Sequence, residues 1–194
     1  MSILETLITD RTSADVANVR TLTKKGWASM TAAEQAAWLA GLRGAYNASD
    51  LNRVGEAVGY VVAYLNGMQA TLDAYREQYD VAAAAVYNVT WDTITVTVKT
   101  DWTIDDIPTQ SQMAAYLANV DAASSAITIS RSLPDSMSRL TYVGANEIER
   151  VLLAEHDAAQ DFEAAVKDAI ERTAATFVYC GQPFSGQIWE EFTT

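Results

Sequence analysis

Asp101, Asp105 and Asp106 stand within six residues of one another and form the densest acidic cluster in this chain of 194 residues. Hard cations are held by grouped carboxylates, so the cluster raises the question of a metal. Its spacing lacks the alternating oxygen ligands, the glycine and the distal glutamate of a calcium loop. The acids also precede a helix start at Thr109, where carboxylates complement the positive end of a helix dipole. His156 is the only histidine and Cys180 the only cysteine. A lone histidine one step from the apolar stripe of an acidic helix is expected at the boundary of that stripe, not as a catalyst. A lone cysteine permits neither an intrachain disulfide nor a multi-cysteine metal site. The sequence contains no phosphate-cradling loop of the P-loop type and no metal-binding histidine pair. Two carboxylates would suffice for a glycosidase, yet nothing singles out a pair among 25 acids. No catalytic residue, cofactor or metal ligand is assigned, and a non-enzymatic protein is expected.

The other group with chemical potential is aromatic. Tyr179-Cys180-Gly181-Gln182-Pro183 is followed by Phe184-Ser185-Gly186-Gln187-Ile188 and then Trp189, each unit reading aromatic, small, Gly, Gln. Glycine and proline at that spacing predict successive turns or a hairpin presenting Tyr179, Phe184 and Trp189. Such side chains can stack on sugar rings, anchor a partner subunit, or cover a small sheet.

Charge narrows the partners. Of the net −12, residues 1 to 100 carry ten acids against eight bases, and residues 101 to 194 fifteen against five. An acidic surface repels phosphate backbones and anionic lipid, so neither nucleic-acid binding nor membrane insertion is expected. The apolar run Ile3 to Ile8 has no basic region ahead of it, which argues against a signal peptide. Apolar runs elsewhere are too short to span a bilayer.

The elements that must carry these residues are mainly helical. Leu51, Val54, Val58, Val61, Leu65, Met68, Leu72, Tyr75 and Tyr79 form an unbroken seam at intervals of three and four. They predict a long helix over about 48–82, capped by Asn47 with Asp50 or by Ser49. Flanking positions poor in paired Glu and Lys favour packing inside a bundle over an intersubunit coil, which stays open as the alternative. Gly55 and Gly59 would let another backbone come close, and Gly67 is a candidate kink. A second long helix is expected over about 144–176, with Ile148, Val151, Leu152, Phe162, Val166 and Ile170 inward and Glu155 interrupting the stripe. Two shorter helices precede the seam. Thr12 with Asp15 starts the first, Gly26 ends it, and Trp27 is placed to pack back on Leu22; Thr31 with Glu34 starts the second and Gly44 ends it. Another follows Pro108, with Thr109 and Gln112 at its start. Ile94, Val96 and Val98 alternate with Thr93, Thr95 and Thr97, predicting a small β element over about 86–99, paired with 126–131 or 177–189. The regions are read as 1–85, helical; 86–131, a strand-helix-strand insertion; and 132–194, a long helix with the aromatic tail, together forming one cooperative domain.

Five strings carry a resemblance: LITDRTSADV (7 to 16), GAYNASDLNRVGEAVGYV (44 to 61), KTDWTIDDIPTQSQMAAYLANV (99 to 120), LPDSMSRLTYVGANEIERVLL (133 to 153) and YCGQPFSG (179 to 186). In this order they resemble tail-associated virion structural proteins of phages and prophages of Gram-positive bacteria. The resemblance implies a subunit of a phage tail, tail tip or fibre, resident in the virion, with other virion subunits as partners. A homo-oligomer is expected, since virion parts assemble symmetrically. The alternative is a carbohydrate-binding or receptor-adhesion module that meets a host-surface glycan through Tyr179, Phe184 and Trp189.

Overall fold

The computed structural model describes residues 2–82, 92–127, 129–130 and 132–181, the last six of these as helix backbone only. Five α-helices occur among the described residues: α1 Ser13–Lys25, α2 Ala32–Ala40, α3 Ala48–Gln78, α4 Gln110–Ala123 and α5 Tyr142–Gly181. The protein is mainly α.

Helix starts follow local rules. Thr12 with Asp15, Thr31 with Glu34 and Thr109 with Gln112 each close a complete capping box at the heads of α1, α2 and α4. At the head of α3, Asn47 Oδ1 accepts from the Ser49 N–H at 2.9 Å, and the Asn47 N–H donates to Asp50 at 3.0 Å.

Helix ends depart further from expectation. Gly26 takes φ 74° and closes α1 on the Leu22 carbonyl, and Trp27 after it is 48% exposed. α2 stops at Ala40, where Gly41 takes φ 92°, three residues before Gly44. Gly44 instead lets two backbones touch, because a Cβ there would fall 2.1 Å from the Asp15 carbonyl oxygen. α3 ends at Gln78 and not near residue 82. The Val81 N–H returns to the Arg76 carbonyl, the Asp80 N–H to Glu77, and Asp80 sits at φ 53°, the double closure of a Schellman motif. Nothing interrupts α3 at Gly67.

The chain divides into two compact units, Met1–Leu65 with Thr93–Ala158, and Asn66–Asp92 with Ala159–Thr194. In the first, Leu51, Val54, Val58, Val61 and Leu65 of α3 are buried together with Ile148, Val151 and Leu152 of α5 and Tyr116, Val120 and Ala123 of α4. Each Val, Leu or Ile so buried contributes roughly 1.5–3 kcal/mol of transfer free energy. The seam is therefore internal to one chain, as its charge-poor flanks suggest. Arg53 reaches Glu149 and Tyr60 lies against His156, so α3 and α5 run side by side in the same direction, residue i opposite i+96. In the second unit Met68 and Leu72 are buried, as are Ala159, Val166 and Ile170. There the Tyr75 hydroxyl donates to Glu171, an offset of 96 again, and Lys167 Nζ stands 5.2 Å from the Tyr75 ring centre.

The expected β element is corrected. No described residue forms a strand: 92–99, 126, 127, 129 and 130 lie in no helix or strand, while 177–181 continue α5 as helix. Residues 86–91, 128, 131 and 182–189 of that expectation lie outside the described residues. The alternation itself is real, since Ile94, Val96 and Val98 are half-buried and the threonines between them exposed. What replaces the partner strand is a side chain. Asn119 of α4 accepts from the Thr97 N–H at 3.3 Å and donates to the Thr97 carbonyl at 2.7 Å. A carboxamide offers the same donor and acceptor as a peptide group, so the segment satisfies its backbone on a helix. The Ile127 N–H is likewise taken by Glu155 of α5 at 2.8 Å. In the tail, the alanine-rich lead-in through Ala174 and Ala175 favours continuing the helix.

Candidate functional site

The most densely bonded group in the first unit is a buried cluster of two arginines and two acids. Arg11 Nη2 donates to Asp50 at 2.8 Å and to Glu149 at 2.6 Å. Arg53 donates to both of the same acids. The remaining oxygens are used as well: Glu149 Oε2 accepts from the Ile8 N–H at 2.5 Å, and Asp50 Oδ2 from the Asn47 N–H. Burial works against the Arg53 charge, but hydrogen bonding to Glu149 and its attraction, then those of Asp50, outweigh that and raise its pKa. The Arg11 guanidinium also stands 5.5 Å from the ring centre of Tyr46, whose hydroxyl meets that of Tyr116 at 2.6 Å. Burial pushes the Tyr46 and Tyr116 hydroxyls well above the usual tyrosine range, so both stay neutral. Two positive and two negative charges that satisfy one another form a clasp.

The clasp holds chain segments. The N-terminal stretch lies along the start of α5, with the Ile8 N–H on Glu149, the Thr9 carbonyl on Arg150, and both backbone groups of Arg11 on the Asn146 carboxamide at 3.0 Å each. Asn52 grips Trp102 in the same way, accepting its N–H at 2.7 Å and donating to its carbonyl at 2.9 Å. Beside it Gly55 admits the segment, because a Cβ there would come within 2.9 Å of the Lys99 carbonyl oxygen, whereas Gly59 faces open space. Asn52, Asn119 and Asn146 thus perform one operation on three helices. Asn52→Asp keeps the acceptor for the Trp102 N–H but turns an oxygen toward the Trp102 carbonyl. It is expected to lower stability by about 1–3 kcal/mol, more than Asn52→Ala if the repulsion is felt, as read from urea unfolding midpoints.

The residues singled out in the sequence are placed differently. Asp101 pairs with Lys99, and Asp106 accepts from the Thr103 N–H and hydroxyl, so these acids serve their own loop. No group of three or more potential metal ligands occurs among the described residues. His156 is buried and not at a boundary, its ring 4.9 Å from that of Tyr64 and 5.6 Å from that of Tyr60. Tyr179 falls within α5, its side chain outside the described residues, as are Phe184 and Trp189. No helix among the described residues is long and apolar enough to cross a membrane.

The first unit also presents a surface that its own chain leaves open. Between Thr12 and Arg43 only Leu22 and Met30 are buried, and α2 buries no residue at all. Leu39 is 64% exposed, Ile104 72% and Ile107 89%. Leu39 and Ile104 line the two sides of a groove of about 470 Å³, floored by Leu51, Tyr46 and Trp102. Sequence reasoning passed over it because both helices carry ordinary capping and periodicity; the available signal was composition, since α2 offers alanines where a core-facing helix would place larger side chains.

In the hairpin formed by α1 and α2, an exposed ion pair, Lys25 with Glu34 at 2.6 Å, joins the end of one helix to the start of the next. Hydrogen bonds from Lys25, then from the Thr31 cap, hold the Glu34 carboxyl down at about 2, from an ordinary 4.5. A depressed carboxyl stabilises the folded form fully above the ordinary value and loses that contribution as pH falls through the folded one. That contribution is therefore expected to fade between about pH 4.5 and 2, with the Thr31 and Glu34 amide shifts following it in NMR spectra. Glu34→Gln should remove that step, and salt should weaken it.

Compared with protein-family models, curated proteins and solved structures, the chain matches none.

Proposed function

We propose that this chain is a non-enzymatic structural or assembly subunit of a bacteriophage tail, tail tip or fibre, resident in the virion and acting through homo-oligomeric packing. The observation that carries the reading is the α1–α2 hairpin, which has two buried residues of its own between 12 and 43 and leaves Trp27 and Leu39 exposed. Helices of 13 and 9 residues are marginal without tertiary packing, so a partner surface is the natural completion. The ordered likeness of five strings to tail-associated virion proteins supplies the setting. Mass spectrometry of purified particles is expected to detect the chain alongside other structural proteins. Its absence from particles in which those proteins are detected would overturn the proposal, as would turnover of cell-wall polymer that persists through purification of the folded chain.

A further inference from the structure

We infer that the α1–α2 hairpin docks on a second copy of this chain, against the acid-lined outer face of that copy's α5 between Asp161 and Asp168. The inference rests on the assembly reading above and names the partner of the same surface.

Charge supplies the argument. From Thr12 to Arg43 the chain carries four bases, Arg20, Lys24, Lys25 and Arg43, against the two acids Asp15 and Glu34, within a protein of net charge −12. A stretch with little core of its own is thus a net-basic one in an acidic chain. Arg20 and Lys24 are exposed and project from α1 one turn apart. Their complement exists on every other copy. On α5, Asp161, Ala164, Ala165 and Asp168 are all exposed at spacings of three and four, giving one acidic and alanine-lined stripe in which Asp168 also holds Arg172 at 2.8 Å. The open face of α2 is lined by Ala32, Ala33, Ala36 and Ala37. Small residues on both helices allow the close approach that helix packing needs, with the charges at the rim setting register. The contact joins two different faces, so it closes reciprocally as a two-fold dimer, closes a larger ring or continues as a helical stack.

Sedimentation velocity of the full chain over a concentration series tests this. The wild type is expected to self-associate into dimers or larger species, and less so as salt rises. Arg20→Glu with Lys24→Glu, and separately Asp161→Lys with Asp168→Lys, should each reduce association about tenfold or more. An equimolar mixture of the two variants should recover it, and circular dichroism should show both folded. A strict monomer, or association untouched by either reversal, would overturn the inference. These outcomes leave the virion reading standing if particles contain the chain; self-association through the hairpin with absence from particles would do the reverse.

Discussion

Glu149→Ala is expected to lower the unfolding free energy by about 3–5 kcal/mol, the range for removing one partner of a buried ion pair. Glu149 is fully buried, and its two oxygens receive Arg11, Arg53 and the Ile8 N–H. Truncation leaves two guanidinium groups facing Asp50 alone and a main-chain donor without its acceptor. It also releases the N-terminal segment from α5, so amide exchange should rise at Ile8 and Arg11 as well as globally. Urea denaturation gives the magnitude. Glu149→Gln should fall between the two, because the amide keeps the shape and loses the charge. A much milder outcome is expected when the charges leave together: Arg11→Met with Glu149→Leu should restore part of the loss, since an apolar replacement of a whole buried pair removes the uncompensated ion. A loss below about 1 kcal/mol for Glu149→Ala would mean that the clasp is hydrated and held open, contrary to the geometry.

Gly44→Ala is expected to be the most disruptive glycine-to-alanine change among the seven glycines Gly26, Gly41, Gly44, Gly55, Gly59, Gly67 and Gly144. The added Cβ would stand 2.1 Å from the Asp15 carbonyl oxygen and 2.6 Å from the Val16 nitrogen, so the obstacle is backbone that cannot rotate away. Overpacking costs about 1–3 kcal/mol where side chains can adjust, and this site belongs at the top of that range. The damage should be local in kind: α1 must lift from the turn at Gly44, and exchange protection should fall through Ser13–Lys25 while α3 and α5 keep theirs. Gly59→Ala is the internal control, since a Cβ there meets nothing within 4 Å. It should be neutral or slightly stabilising, because alanine has the higher helix propensity. Equal effects at the two positions would refute the close approach at Gly44.

What was legible in the sequence was governed by near neighbours. Thr12 with Asp15, Thr31 with Glu34 and Thr109 with Gln112 announce helix starts because both halves of each capping box lie within four residues. The apolar seam of α3 announces burial by its period. What was not legible depends on residues that meet only after folding. Glu149 looks like one more acid on an acidic helix until Arg11, 138 residues earlier, is brought to it. Asn52 and Asn119 carry no local sign that they stand in for a β-strand, which is why Thr93 to Lys99 reads as a strand and folds as a strap. Arg11, Asp50, Trp102 and Glu149 each fall in one of the first four strings that carry the phage likeness. Those strings are therefore accounted for by architecture first, and the α1–α2 hairpin and the aromatic tail are where a role should be sought.

The pairing of α3 with α5 at an offset of 96 residues also sets a timetable. A ribosome adding about 5–20 residues per second needs on the order of 5–20 s to make the partner after the seam has been made. Through that interval Val54, Val58, Val61 and Leu65, which end fully or almost fully buried, have no α5 to cover them. The nascent chain is thus an exposed apolar helix for seconds before it is a protein. Shortening that wait, by supplying 142–181 as a separate chain during synthesis, should raise soluble yield where slower elongation would lower it.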